Sequence, residues 1–382
     1  MHTVHAVRNP IFCILPPHML REIAQRGSAA QRGFAMRNIT TSEQMRGQRH
    51  AIAEFSALAV LAVADQKHRT IYDVRQGSNL PGVVVRNEGD LPSTDPAVNE
   101  AYDGSGVTYD LYNDVYGRRS IDGNGMKLDS SVHYQKGYDN AFWDGKQMVY
   151  GDGDEDLPLS ERLFNRFTIS LDIIGHELTH GVTQFEARLV YWEQPGALNE
   201  SFSDVFGSLV KQYQRHETSD QADWIIGQGL FTSNVQGVGI RSMKSPGTAY
   251  DDPVLGKDPQ PGHMKDYVNT QSDNGGVHIN SGIPNHAFYV TAREIGGFSW
   301  VKAGQIWYVT LRDKLQAQSN FQDAARLTYQ TAGDLFGVDS LEQKAVRTGW
   351  AEVGLSVDGP APEPQPGDGC LPQLLRMLGL AK

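Results

Sequence analysis

Two histidines with a glutamate between them are the residues of this 382-residue chain whose types and spacing most clearly could do chemistry. The sequence His-Glu-Leu-Thr-His at 176–180 lies inside a predicted helix over 160–185. Residues four apart share one helix face, so the imidazoles of His176 and His180 could bind one Zn²⁺ ion. Glu177 would project beside them, where its carboxylate could take a proton from water. The alternative is a chance match on a surface helix.

A third ligand follows on the next predicted helix. A catalytic zinc site uses three protein ligands and leaves one position open. The predicted helix over 197–215 offers Glu200, which follows His180 by twenty residues. Asp204 lies one turn further on, where it could orient a ligand imidazole through that ring's other nitrogen. Two unrelated surface carboxylates are the alternative, which the preceding zinc motif disfavours.

The elements that must position these residues fall into two halves. Residues 70–87 have a strand pattern, and 90–155 are dense in Gly, Asp, Asn and Tyr, which predicts strands and loops with short helical pieces. Further helices are predicted over 281–295, 301–317, 320–336 and 339–352. The sequence therefore predicts an α+β fold with a β-rich N-terminal lobe, a mainly helical C-terminal lobe and the zinc helix between them.

Charge divides the chain differently. Residues 1–50 carry a net charge of +5, whereas the whole chain carries −11, which leaves −16 for the rest. The acidic balance argues against nucleic acid as a general partner. A basic head on an acidic body suggests two parts with different roles, with chance clustering as the alternative.

Cysteine content and hydropathy exclude several protein classes. Cys13 and Cys370 are the two cysteines, which excludes a disulfide framework and a cysteine zinc cluster but leaves a single bridge open. The apolar run from Ile11 to Leu15 is too short for the core of a signal peptide. The chain lacks an apolar stretch of ~18 residues, so we expect neither a signal peptide nor a transmembrane segment.

Longer segments carry a family resemblance. Residues 172–204 resemble the zinc-binding region of the thermolysin family of zinc metalloendopeptidases, the M4 family of gluzincins. Agreement continues at 140–143, 150–154, 191, 240–243 and 273–282, so that the resemblance runs from about residue 70 to 356. It implies the two-lobed thermolysin-like fold.

The resemblance also implies the metal and the base. One catalytic Zn²⁺ would be held by His176, His180 and Glu200. Glu177 would be the general base that activates water and then passes its proton to the leaving amine.

Supporting roles are implied in the same way. His278 and Tyr191 would hydrogen-bond the oxyanion of the tetrahedral intermediate. Asp273 would orient His278. Asp204 would hydrogen-bond His176, and Asn199 would support His180.

For the substrate, the resemblance implies a cleft that holds the peptide as an added edge strand. The residues that would hold it are Asn140, Arg241 and the backbone of Ala141 and Trp143. Ile173 and Ile240 would line an apolar pocket, which predicts cleavage before bulky apolar residues such as Leu or Phe.

The chain departs from the larger family members at their double calcium site. Asp172 and Asp223 are retained, but Lys211, Ile225 and Gln228 stand at the other positions. A lysine ammonium beside Asp172 could replace the charge of a cation. We therefore expect calcium binding to be reduced or absent.

The head resembles the short prosegment of the protealysin-like branch of the family, through residues 13–20. We expect a basic prosegment at 1–47, a catalytic N-terminal lobe at 48–190, a helical lobe at 191–356, and a Pro-rich linker and tail at 357–382. The prosegment would cover the cleft as an intramolecular inhibitor until autolysis within 38–52.

Two features of the chain ends leave alternatives open. The Cys13 thiolate could occupy the open zinc position of the precursor, or Cys13 could be a small buried apolar residue. The tail could be a disordered extension or a docking helix for a partner or membrane surface.

The leading interpretation is a monomeric, autoinhibited zinc endopeptidase acting on proteins or peptides. Family resemblance implies secretion, but without a recognisable signal peptide an intracellular role or another export route stays open. The rivals are a peptide-binding protein without activity and a zinc aminopeptidase. Intact Glu177, Tyr191 and His278 disfavour the first, and the absence of a motif that would grip a free amine disfavours the second.

Overall fold

A mixed β-sheet forms the centre of the N-terminal lobe in the computed structural model, which describes residues 12–52 and 66–358. Its strands are β1 Phe12–Cys13, β2 Arg69–Asp73, β3 Val83–Asn87, β4 Leu128–Val132, β5 Ala141–Trp143 and β6 Met148–Tyr150. Their order across the sheet is β1-β5-β6-β4-β2-β3. Strand β4 is parallel to both β2 and β6, and β5 is antiparallel to β6.

The head of the chain supplies the edge strand β1. It runs antiparallel to β5, with Phe12 opposite Trp143 and Cys13 opposite Phe142. The backbone groups of β5 that face away from β6 are therefore paired by the head.

Helices make up the rest of the head and most of the C-terminal lobe. The head contains α1 Pro17–Arg26 and α2 Ala29–Ile52, and the N-terminal lobe contains α3 Pro96–Asp110 and α4 Leu171–Phe185. The C-terminal lobe contains α5 Glu193–Arg215, α6 Asp273–Asn280, α7 Gly282–Ile295, α8 Ala303–Asp313, α9 Phe321–Phe336 and α10 Leu341–Glu352. Two short hairpins, β7 Ile225–Ile226 with β8 Arg241–Ser242 and β9 Asp251–Asp252 with β10 Gly256–Lys257, lie between α5 and α6.

Helix α4 lies between the two lobes. It contacts β5 on one side and α5 on the other, and residues 172–183 are all buried. The predicted α+β fold with the zinc helix between a strand-containing lobe and a helical lobe is confirmed.

The zinc helix begins later than the sequence predicted. Its first residue is Leu171, preceded by Ser170, and not a residue near 160. Asp154 explains the difference, because its Oδ2 accepts from the backbone N–H groups of Leu163 and Phe164 at 2.7 and 3.0 Å. Because these two N–H groups donate to a residue of the preceding loop, they do not form the hydrogen bonds of a helix.

Two helices of the structure were not predicted as helices from the sequence pattern. The polar segment before residue 47 is part of α2, and α3 is a full helix within 90–155. Gly104 lowers the helical propensity of α3. A Cβ at that position would lie 2.4 Å from Ile174 Cδ1, so the glycine lets α3 approach α4.

Other predictions fall on residues that the structure leaves out of its description. These are the signal-peptide assessment at the start of the chain, the linker and tail from residue 359, and Cys370. Within the described ranges, the helices are all too short or too polar to cross a membrane.

Candidate active site

Helices α4 and α5 bring the three predicted metal ligands together. The Nε2 atoms of His176 and His180 are 3.0 Å apart. Glu200 places Oε2 3.5 Å from His176 Nε2 and Oε1 3.4 Å from His180 Nε2. Three side chains from two helices thus converge in the interior, and all are fully buried.

A glycine in α5 permits this convergence. A Cβ on Gly207 would lie 2.4 Å from the Asp172 carbonyl oxygen and 3.0 Å from His176 N, so a larger residue would push the two helices apart. The close contact places the ligand pair of α4 over the carboxylate of α5.

The outer nitrogens of both imidazoles have hydrogen-bond partners. His176 Nδ1 is 2.8 Å from Asp204 Oδ1, and His180 Nδ1 is 2.8 Å from Asn199 Oδ1. Ser203 Oγ is a further neighbour of His180 Nδ1 at 3.0 Å. These bonds put a proton on Nδ1 and leave each Nε2 as a lone-pair donor facing Glu200.

The donor set fits a zinc ion. Ligand atoms about 2.0–2.1 Å from a tetrahedral ion lie roughly 3.3 Å apart, which matches the separations found here. Glu200 Oε2 is buried and accepts no hydrogen bond from any described residue, as expected of an atom whose partner is a metal. Burial and the His176 ring lower the pKa of His180 well below its ordinary value, which keeps the ring neutral.

The predicted base lies beside this cluster. Glu177 Oε2 accepts from the backbone N–H of Trp143 at 3.0 Å, which orients the carboxylate. Its Oε1 is buried and accepts no hydrogen bond from the described residues. Burial, and next the charge of Glu200, raise the pKa of Glu177 well above its ordinary value.

His278 and Tyr191 approach the cluster from the C-terminal lobe. The Tyr191 hydroxyl bonds Glu200 Oε1 and lies 3.2 Å from His278 Nε2. Asp273 Oδ1 is 2.6 Å from His278 Nδ1. Although burial opposes a charge on His278, the Asp273 and Glu200 carboxylates raise its pKa to about 9.

The segment that carries Asp273 has an unusual backbone. Residues 273–276 all have positive φ, between 50° and 82°, and the first two are Asp and Asn instead of glycine. Such a conformation in non-glycine residues costs about 1 kcal/mol or more each. It turns the chain so that Asp273 also accepts from the backbone N–H of His278, at 2.9 Å.

Arg241 links the cluster to the head. Its Nε and Nη2 donate to both oxygens of Asp204 at 2.8 and 2.7 Å. Burial alone would raise the pKa of Asp204, but the Arg241 guanidinium and the His176 ring lower it below the usual range. Arg241 Nη1 also donates to the carbonyl oxygen of Ile14 at 3.2 Å.

Three of the other predicted substrate-binding residues, Asn140, Ala141 and Trp143, also contact the head. Leu15 N donates to Asn140 Oδ1 at 2.9 Å, and Ile14 N donates to the Ala141 carbonyl at 3.3 Å. Trp143 pairs with Phe12 across the β1–β5 ladder. Ile173 and Ile240 are buried and, like Ile14, belong to the main apolar core of the molecule.

Cys13 faces the site with its backbone. Its carbonyl oxygen is 3.1 Å from His278 Nε2. The side chain is buried with Tyr134, Tyr138 and Phe142. Among described residues, the metal-ligand group consists of His176, His180 and Glu200 and does not include Cys13.

Three buried polar residues near the site were not predicted. Ser203 lies one turn after Asn199, so its contact with His180 could have been found from helix spacing. Gln260, whose Nε2 donates to the His278 carbonyl at 2.8 Å, and Asn285, whose Nδ2 donates to Asp204 at 2.8 Å, have no such local signal.

Comparisons with known proteins agree with this geometry. Residues 31–184 match the family described as "Thermolysin metallopeptidase, catalytic domain", and 187–355 match "Thermolysin metallopeptidase, alpha-helical domain". An extracellular metalloprotease of Pectobacterium carotovorum is 48% identical over 349 residues, which cover 91% of this chain and 97% of that protein. A thermolysin of Alicyclobacillus acidocaldarius is 40% identical over 294 residues. This match covers 74% of this chain and 50% of that protein.

A solved structure agrees as well. The precursor of protealysin, a metalloproteinase from Serratia proteamaculans, is 49% identical and superposes with a TM-score of 0.81 over 90% of this chain and all of that one. This chain therefore belongs to the thermolysin family of metallopeptidases and is an enzyme of the zinc metalloendopeptidase class.

Proposed function

We propose that this enzyme cleaves internal peptide bonds before bulky apolar residues and that the chain as described is its autoinhibited precursor. The observation that carries the proposal is the path of residues 12–15 beside the metal-ligand cluster. Phe12 and Cys13 pair with β5 as strand β1, the Cys13 carbonyl faces His278, and Ile14 bonds the Ala141 carbonyl.

The main-chain contacts of the head resemble those expected of a substrate. The Cys13 carbonyl faces His278, while the N–H and carbonyl of Ile14 are held by Ala141 and Arg241. These contacts support a register in which the Cys13–Ile14 peptide bond stands at the place of the scissile bond. Ile14 then stands for the residue after that bond, and the complete burial of this apolar side chain supports an apolar preference there.

His176, His180 and Glu200 would hold the zinc ion, which when bound supplies Lewis-acid polarisation of the scissile carbonyl and the attacking water. Glu177 takes one proton from the water and later gives it to the leaving amine. Tyr191 and protonated His278 donate hydrogen bonds to the oxygen that becomes negative as the water attacks.

Supporting residues then hold these groups in place. Asp273 keeps His278 protonated and oriented, and Asp204 and Asn199 fix the two zinc-binding imidazoles. Asn140, Ala141, Trp143 and Arg241 hold the substrate backbone beside β5.

The head would inhibit by occupying the cleft. Its docking extends beyond the cleft, since Ser28 Oγ and Gln31 Nε2 both bond Glu161 at 2.6 Å and Asn38 Nδ2 lies 3.2 Å from Asp139 Oδ2. We therefore keep the division into a prosegment at 1–47, catalytic lobes at 48–190 and 191–356, and a tail from 357. Autolysis within 38–52 would release the head.

The Cys13 thiolate stays a hypothesis for the precursor. The burial of its side chain among aromatic rings supports the alternative, that Cys13 is a small buried apolar residue. Substitution of Cys13 by Ser separates the two, because loss of a zinc ligand would weaken zinc binding by the precursor.

Reduced calcium binding is supported by Lys211. Its ammonium lies 2.8 Å from Asp172 Oδ2, 2.8 Å from Asp223 Oδ1 and 2.6 Å from the Ile225 carbonyl. A lysine nitrogen thus stands among the oxygens that would otherwise attract a cation.

Export from the cell is supported by the similarity to a protein named an extracellular metalloprotease. Detection of processed enzyme in culture medium, with a cytoplasmic marker retained in the cells, would test it.

One experiment tests the activity against both rivals. Processed protein is incubated with casein and a blocked peptide, with and without 1,10-phenanthroline, and the products are mapped by mass spectrometry. We expect internal, chelator-sensitive cuts before bulky apolar residues such as Leu or Phe, and none from the Glu177→Gln variant after wild-type enzyme has removed its head. Cuts confined to free amino termini would indicate an aminopeptidase, and tight peptide binding without cuts would indicate a binding protein.

A further inference from the structure

The Asp204 carboxylate receives four hydrogen bonds, two on each oxygen. Its Oδ1 accepts from His176 Nδ1 at 2.8 Å and from Arg241 Nη2 at 2.7 Å. Its Oδ2 accepts from Arg241 Nε at 2.8 Å and from Asn285 Nδ2 at 2.8 Å. The donors come from α4, β8 and α7, so three separate elements fix one carboxylate on α5.

Among these residues, Asn285 is the one whose presence is least explained by a contribution to the stability of the fold. A carboxylate only accepts, so the amide must present its NH₂ group to Asp204. The amide oxygen is then directed elsewhere, and it is buried without a hydrogen-bond partner among the described residues. An unpartnered buried carbonyl destabilises the fold, and an apolar side chain of similar size would avoid that loss.

We infer that Asn285 is a positioning residue for the zinc site. Rotation of the Asp204 carboxylate would break the hydrogen bonds of both oxygens at once. His176 and Arg241 supply three of the four hydrogen bonds that this carboxylate accepts, and Asn285 supplies the fourth. With Asp204 fixed, the Nδ1–H of His176 is held and its Nε2 stays directed at the metal position. Loss of the Asn285 amide therefore weakens zinc binding. This inference rests on the proposed role of His176 as a zinc ligand.

The test uses the full chain in a Glu177→Gln background, in which the enzyme cannot process itself. Asn285→Leu removes the amide and keeps the volume close. Zinc dissociation constants are measured by competition with a chromophoric chelator, and thermal midpoints are measured on the metal-free proteins. We expect the dissociation constant for zinc to rise about tenfold. We expect the midpoint of the metal-free protein to stay equal or rise.

Asn280 provides a matched control. It is equally buried, but its side chain bonds both backbone polar groups of Val268, at 2.9 Å each. Asn280→Leu should lower the thermal midpoint and leave zinc affinity unchanged. If Asn285→Leu does not fold, Asn285→Ala serves with the same expectations for zinc.

The outcomes separate the inference from the proposed function. A Glu177→Gln parent that binds no zinc would overturn the proposed function. A parent that binds zinc, with Asn285 variants within twofold of it, would overturn the inference alone, whatever their thermal midpoints.

Discussion

His278 is both charged and held in a fixed orientation at the candidate site. Asp273 holds its Nδ1 and raises its pKa, so near neutral pH the ring is protonated and its Nε2–H donates toward the Cys13 carbonyl. A substrate carbonyl in the same place would become negative during attack by water. The hydrogen bond would then strengthen in the transition state more than in the ground state.

Replacement of His278 by glutamine should therefore reduce kcat more than it changes KM. We expect kcat to fall by about 10²–10³, the range for losing one oxyanion donor. Processed enzyme and a blocked peptide substrate provide the measurement. His216, which is exposed at the end of α5, gives the control variant His216→Gln with unchanged kinetics. A loss confined to KM would contradict the assigned role.

His18 is the titratable residue of the head with the most altered environment. Its Nε2 lies 3.0 Å from the Tyr250 hydroxyl, and its Nδ1 is buried without a hydrogen-bond partner among the described residues. Burial, reinforced by the charges of His278, Arg241 and Arg21 and opposed by Asp273, lowers the pKa of His18 to about 4. Neutral His18 is thus the form that docks.

Acid should therefore weaken docking of the head. In the released head His18 regains a pKa near 6.5. Its contribution to docking is thus complete above pH 6.5 and declines as the pH falls toward 4. We expect self-processing of the precursor to accelerate over this range once each rate is divided by the activity of processed enzyme at the same pH.

Substitution of His18 by glutamine tests this assignment. His18→Gln should flatten the acid acceleration, and His68→Gln, at an exposed histidine of the body, should retain it. An acceleration of equal size in the His18→Gln precursor would show that another group controls docking.

Separation along the chain decides which site residues the sequence could predict. His176, His180 and Glu200 form one short pattern on two consecutive helices, and helix periodicity fixes their faces. Asn285 is 81 residues from Asp204, and only the packing of α7 on α5 brings them together. No local rule marks such a contact.

Lys211 joins three elements into one unit. From α5 its ammonium reaches Asp172 at the start of α4, Asp223 just before β7 and the carbonyl of Ile225, the first residue of β7. Burial opposes the charge, but the two carboxylates raise the pKa of Lys211 above its ordinary value. The lysine therefore stays charged and holds α4 and α5 together near the metal ligands.

Removal of this charge should destabilise the contact between α4 and α5. Lys211→Met leaves buried Asp172 without its ammonium partner, and breaking a buried pair from one side costs about 3–5 kcal/mol. The free energy of unfolding in urea gives the measurement, with calcium depleted and zinc buffered.

A surface pair provides the control for Lys211. Lys314→Met removes the partner of exposed Asp334, and we expect a loss below about 1 kcal/mol. A similarly small loss in Lys211→Met would contradict the role of Lys211. A parent protein that loses stability sharply on calcium depletion would contradict the expected loss of the calcium site.

Elements were predictable where periodicity is strong and local. The helices from α7 to α10 begin and end within a few residues of their predicted bounds. Helix α2 was missed because its polar sequence lacks a clear apolar stripe. Packing against the body helps to hold it, since a Cβ on Gly137 would lie 2.5 Å from the Phe34 ring. Tertiary contact, which the sequence pattern does not encode, decides its structure.

In the whole molecule the head joins both lobes. Its strand β1 lies on β5 of the N-terminal lobe, while α1 places Glu22 beside Gly256 in the β9–β10 hairpin of the C-terminal lobe. These local contacts add to the long-range attraction between a head of net charge +5 and a body of −16. In the proposed precursor, a head that spans the cleft in this way would block it and restrain the two lobes at once.

Processing should therefore make the enzyme markedly more acidic. The full chain has a sequence isoelectric point near 5.5, and removal of the basic head would lower it because the remaining chain keeps nearly all of the acids. Isoelectric focusing before and after activation, in native gels and in urea, gives the measurement. A shift in urea but not in the native gel would mean that the cut head stays docked on the acidic body. An unchanged isoelectric point in both gels would contradict cleavage within 38–52, because any cut in that range separates most of the arginines of the head from the body.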